Sequence, residues 1–119
     1  MSSTRGDVSE DSAEAVWVAV AATVGSEAAR LLDLHGGDGG AITEALSEAV
    51  DARLREALDG EPPEAVRAAV EPVLDAVATH LAEGARMGAD PELVTAGVVF
   101  PLLVRKAGLL TAVRVAAVG

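Results

Sequence analysis

The chain has 119 residues, half of them hydrophobic, with one Trp, one Phe and no Cys, and it carries 19 acidic against nine basic residues for a formal charge of −10. A length of this order fits one domain that buries roughly two-thirds of its unfolded surface, and the lack of cysteine excludes disulfides, thiolate catalysis and cysteine-ligated zinc. The acid excess excludes nucleic acid as a primary partner, because affinity for phosphates depends on Lys and Arg displacing counterions.

Residues 1–8 are polar and are predicted to form a disordered tail. They lack the apolar core of a signal peptide, which predicts a cytoplasmic protein. Residues 9–119 are predicted to form one helical domain. Ser9 and Ser12 are N-cap candidates before a run in which Val16, Val20, Val24, Ala28 and Leu32 recur every four residues, the spacing of a helix with one core-facing stripe. No charge falls between Ala15 and Val24, so this helix is predicted to be covered on more than one side. Gly25 is a weak point, and the helix should end near His35, where Gly36, Gly37, Gly39 and Gly40 break the pattern.

The second segment is amphipathic. Ile42, Leu46, Val50, Leu54 and Leu58 recur at i+4, Ala45, Ala49 and Ala57 widen the stripe, and Glu44, Glu48, Asp51 and Arg55 fall mainly opposite. Asp51 and Arg55 are spaced as a helical ion pair, and Gly60 is the stop. Pro62 and Pro63 suit the first turn of a third helix, whose apolar face is Val66, Val70, Val73, Val77 and Leu81. Pro72 predicts a kink in it, and Gly84 and Gly88 its end.

Asp90-Pro91-Glu92 reads as a helix start: a capping carboxylate, proline at the first helical position, and an acid at the positive end of the dipole. The fourth segment is predicted to run from Pro91, apolar on every side from Leu93 to Val104, with a kink at Pro101 and contact with water at Arg105 and Lys106. Gly108, Ala112 and Ala116 form a small-residue row along which another helix could pack closely. The β-branched runs Val98–Val104 and Val113–Val118 make strands the main rival, but the helix start and the alanine content favour helix.

Residues 93–119 contain no acid and three bases, Arg105, Lys106 and Arg114, whereas residues 1–92 carry all 19 acids and six bases. Apolar surface of that extent must be covered by its own domain, by another subunit or by lipid.

Candidate chemistry is sparse. The glycine cluster 36–40 precedes a helix but has Ile42 where a phosphate-binding loop needs Lys, and Asp38 would repel phosphate. Asp33 and Glu44 match the ends of a twelve-residue calcium loop, yet His35, Gly37, Asp38 and Gly40 occupy positions that require other residues. His35 and His80 lack the companions of a metal site. His35 reads as a helix C-terminal residue and His80 as a boundary residue beside the core stripe. No serine sits in a nucleophile elbow.

The predicted fold is therefore all-α, a compact bundle of four to five helices with a hydrophobic C-terminal central helix. The predicted function is a non-enzymatic interaction or scaffold module that self-associates as a homodimer, or binds another protein, through Trp17, Val20, Val24, Phe100, Leu103, Gly108, Ala112 and Ala116. No metal or other cofactor is expected. A second possibility is attachment to a membrane surface through residues 93–118, whose bases match anionic lipid. The uncharged run Leu93–Val104 is too short to cross a bilayer of roughly 30 Å. A third is a cavity for a small apolar ligand, lined by Val, Leu, Trp17 and Phe100.

Overall fold

The every-fourth-residue apolar pattern becomes five helices in the computed structural model, which describes the backbone of residues 4–118 and the side chains of residues 12–116. They are α1 (Thr4–His35), α2 (Gly39–Ala57), α3 (Glu64–Arg86), the single-turn-and-a-half α4 (Pro91–Ala96) and α5 (Val99–Val118). No strand occurs among the described residues, and both β-branched runs are helical except for Val98, which lies in the turn before α5. Short connections make consecutive long helices antiparallel neighbours. Helices α1 and α3 each pack on both α2 and α5, giving a four-helix bundle 53 Å long and 23 by 21 Å across.

The core is aliphatic and continuous. Helix α1 contributes Val16, Val20, Val24, Ala28 and Leu31; α2 contributes Ile42, Leu46, Val50 and Leu54; α3 contributes Val66, Val70, Val73, Val77 and Leu81; α5 contributes Leu102, Leu109 and Val113. The one buried polar side chain among the described residues, Thr23, satisfies itself by donating to the carbonyl of Ala19 at 2.7 Å. A hydroxyl bonded back onto its own helix avoids the desolvation cost of an unpaired group.

Helix ends follow local chemistry. Gly36 takes φ +55° and its N–H reaches the carbonyl of Leu32, closing α1 just past His35. Asp38 caps α2 by accepting from the N–H of Ala41 at 3.1 Å. Gly37 must be glycine for a different reason: a Cβ there would lie 2.6 Å from Cγ of Arg86, whose guanidinium donates to the Gly37 carbonyl. The α1–α2 turn is thus only three residues long and is held by the end of α3.

Several boundaries differ from the sequence-based expectation. Helix α1 begins at Thr4, ahead of Ser9, and runs through Gly25 without a break; the expected 1–8 tail falls on residues 1–3, which lie outside the described residues, and on residues described by backbone alone. Helix α3 starts at Glu64 after Pro63 and continues through Pro72 and Gly84 to Arg86. Gly84 serves packing, not termination, since a Cβ there would lie 2.6 Å from Cγ2 of Val94 in α4.

The largest difference is at the C-terminal segment, which breaks at Gly97–Val98 instead of kinking at Pro101. Pro101 lacks an N–H and its ring crowds the carbonyl four residues earlier, which is that of Gly97, so the helix restarts with Pro101 in the first turn of α5. At the break the N–H of Val98 bonds to Thr95, three residues back, leaving the Val94 carbonyl without a helical donor. His80 of α3 supplies it: Nε2, as the protonated ring nitrogen, donates to that carbonyl at 2.8 Å. Gly97 admits the imidazole, as a Cβ would sit 2.8 Å from Nε2. His80 is therefore the residue that pins the α4–α5 corner, a role its position beside the core stripe does not disclose.

Candidate interaction surface

Helix α5 is the hydrophobic C-terminal helix of the bundle, but its enclosure is one-sided. Phe100 is 69 % exposed, Leu103 57 %, Val104 74 % and Val115 66 %, while Leu102, Leu109 and Val113 on the opposite side are buried. At about 100° per residue, Phe100, Val104, Ala107, Thr111 and Val115 line up along the solvent side, with Leu103 on one flank and Gly108 and Ala112 on the other. All eight are exposed and none is charged. Arg105, on the α3 flank, is the only exposed charge of the described α5 side chains.

The α1 side of this row is closed by a cation–π contact, with Lys106 Nζ 5.2 Å from the centroid of the Trp17 ring. Trp17 is half-buried there, and Val18 beside it in sequence is 58 % exposed. The Lys106 stem thus lies along the α1–α5 seam while its charge rests on the ring face.

The residues expected to form an interaction surface separate into two groups. Phe100, Leu103, Gly108 and Ala112 are exposed on α5, Ala116 is half-buried at its edge, and Trp17 lies at the seam. Val20 and Val24 are fully buried in the chain's own core and cannot reach a partner. The uncharged stretch of α1, Ala15 to Val24, is covered on more than one side, as expected: α1 packs on α2 and α5 and also meets α3 and α4, and within the stretch only Val18 and Ala22 are exposed. Ala107, Val104, Thr111 and Val115, at the centre of the exposed row, are the residues that the sequence reading missed.

Apolar side chains are also exposed away from this row, at Leu34, Met87 and Leu93, whereas the α2–α3 surface carries an ion-pair network. Asp51 of α2 and Glu61 of the following turn grip Arg67 of α3, at 2.9 Å to Nε and 2.8 Å to Nη2, and Arg55 reaches Asp51 at 3.1 Å and Glu61 at 3.3 Å. The expected Asp51–Arg55 pair is thus part of a four-residue network. The hydrogen bond from Arg67, with Arg55 nearby, holds the Glu61 carboxyl below its ordinary range, and Glu61 and Asp51 in turn raise Arg67.

Three surface grooves of about 670, 560 and 570 Å³ lie between α2 and α3, between the end of α1 and α4, and beside His80. None of these three is lined by Trp17 or Phe100. Residues 33–44 do not form a twelve-residue loop, since 33–35 end α1 and 39–44 begin α2. No group of three or more potential metal ligands occurs among the described residues.

By length and composition, Ser12–His35 and Pro91–Ala116 are apolar enough to cross a membrane. The second reaches that length by including Arg105 and Lys106, beyond the uncharged run ending at Val104. The first is the core helix α1. No protein-family model matches the chain, nor does any curated protein or solved structure.

Proposed function

We propose that the protein is a non-enzymatic helical association module that works as a homo-oligomer, with the outer face of α5 seated on a second copy of the chain. The observation that carries this reading is the uncharged row Phe100, Val104, Ala107, Thr111 and Val115, exposed from residue 100 to residue 115. Exposed apolar stripes of this kind mark contact surfaces. On a molecule of charge −10, it is also where two copies can meet without bringing carboxylates together.

The same charge argues against lipid as the first choice. Residues 1–92 carry 19 acids against six bases, so the body of the bundle is repelled by an anionic surface even though Arg105, Lys106 and Arg114 would be attracted to it. Helix α5 has 20 residues and is about 30 Å long. One helical row of that length buries less than the roughly 800 Å² per partner of a standard interface, which places the contact among the small, transient ones.

Light scattering behind a sizing column, over a concentration series reaching hundreds of micromolar, tests the reading. The expected result is a mass rising from the 12.0 kDa monomer towards a dimer. A 12.0 kDa species throughout defeats it. Cosedimentation with anionic vesicles that disappears in Val104→Glu would replace the second copy with a membrane surface as the occupant.

A further inference from the structure

We infer that two copies pair antiparallel along α5, crossing at Ala107 and Gly108; this rests on the self-association reading above. The exposed row is graded in size. Its first half presents Phe100, Leu103 and Val104, its middle Ala107 and Gly108, and its second half Thr111, Ala112 and Val115. A Cβ built on Gly108 meets nothing within 4 Å, so the middle of the helix is open to close approach.

A two-fold axis between Ala107 and Gly108 sets Phe100 against Val115 of the second copy, Val104 against its Thr111, and Ala107 against its Gly108. Each bulky residue then meets a smaller one, the spacing is equal at both ends, and the two smallest residues sit where the axes come nearest. Interaxial distance follows the side chains at the contact. Pairing the helices parallel puts Phe100 on Phe100 and Ala107 on Ala107, a wedge that is wide at one end and leaves voids at the centre, which closely packed interfaces avoid. The spacing of the row, alternating four and three residues before its final step of four, is that of a helix seam. Isologous contact of this kind closes after two copies, which predicts a dimer and no larger assembly.

Because the chain has no cysteine, single introduced cysteines report proximity without background. Disulfides require Cα atoms within about 7 Å. Ala107→Cys and Gly108→Cys, at the crossing, are expected to oxidise to covalent dimers in high yield. Val104→Cys alone is expected to stay uncrosslinked, since the two copies of residue 104 are displaced by seven residues, about 10 Å along the axis. An equimolar mixture of Val104→Cys and Thr111→Cys should cross-link as the mixed species.

Efficient homodimers of Val104→Cys would overturn the antiparallel arrangement while leaving self-association intact. A dimer by light scattering that cross-links at none of these positions removes the α5 face from the interface altogether. A monomer by light scattering overturns the parent reading itself. Circular dichroism of each variant shows whether it is folded, and the two central positions serve as replicates should one not be.

Discussion

Helices α2 and α5 lie diagonally across the bundle, each packed between α1 and α3, and both bury an aliphatic stripe: Ile42, Leu46, Val50 and Leu54 on one, Leu102, Leu109 and Val113 on the other. Their outer faces are opposites. The α2 side carries Glu44, Glu48, Arg53, Arg55 and Glu56, whereas α5 presents Phe100, Leu103, Val104, Ala107 and Val115. Since the inner stripes satisfy the same folding requirement, the outer face of α5 is surplus to the monomer's stability. An apolar outer face that folding does not need is where a function other than folding is to be sought.

The comparison can be broken first at the inner faces. Leu46→Ala and Leu109→Ala each remove a fully buried side chain and are expected to cost about 2–5 kcal/mol, read as equal shifts in chemical denaturation. A loss under about 1 kcal/mol for Leu109→Ala would mean that α5 is only loosely docked, and the symmetry between the two helices would fail. Next in size is the corner that places α5. Gly97→Ala drives a methyl to within 2.8 Å of His80 Nε2 and is expected to lower stability by about 1–3 kcal/mol. His80→Ala, which leaves the Val94 carbonyl without its donor, falls in the same range. Retention of full stability by both would show that α4 and α5 meet without this pin.

How much of this was legible in the sequence depends on whether a feature is local. The α2 stripe, the α3 stripe, the stop at His35 and the Asp90 cap all follow from spacing and capping chemistry within one helix, and all are present. The break at Gly97 was not legible as a break, because it needs both the Pro101 clash and a glycine vacant enough to admit His80 from another helix. Gly84 looked like a terminator for the same reason, its neighbour Val94 being ten residues further along the chain.

The interaction surface failed in a more instructive way. Following Gly108, Ala112 and Ala116 at strict i+4 drifts by about 40° per step on a helix of 3.6 residues per turn, so that row leaves the outer face and ends half-buried at Ala116. The exposed outer row instead steps by four, three, four and four from Phe100 to Val115. Val20 and Val24 entered the expected surface because a charge-free helix gives no direction. Only the packing of α2, α3 and α5 around them shows that they point inward.

The polar side of the comparison yields the smallest effect. Glu61 has a lowered carboxyl pKa, so the stability it contributes is present above the unfolded carboxylate value of about 4.3 and is lost as pH falls through the lower, folded value. Arg67 is raised, so its share is intact at every pH below the ordinary guanidinium range and plays no part in the acid limb. Glu61→Gln is therefore expected to flatten the stability profile slightly below about pH 4.3, with little change at neutral pH, as befits an exposed pair. An unaltered acid limb in thermal melts between pH 3 and 5, roughly one unit either side of that value, would show that the network adds nothing.

Sedimentation velocity on Val104→Glu and Ala52→Glu beside the unaltered chain decides most directly whether α5's outer face is a contact surface. Both substitutions add one negative charge at an exposed position, one on α5 and one on α2. Val104→Glu should sediment as a monomer with its thermal stability intact, while Ala52→Glu keeps the dimer of the parent chain. Dissociation by both, or by neither, would contradict the assignment of association to that face.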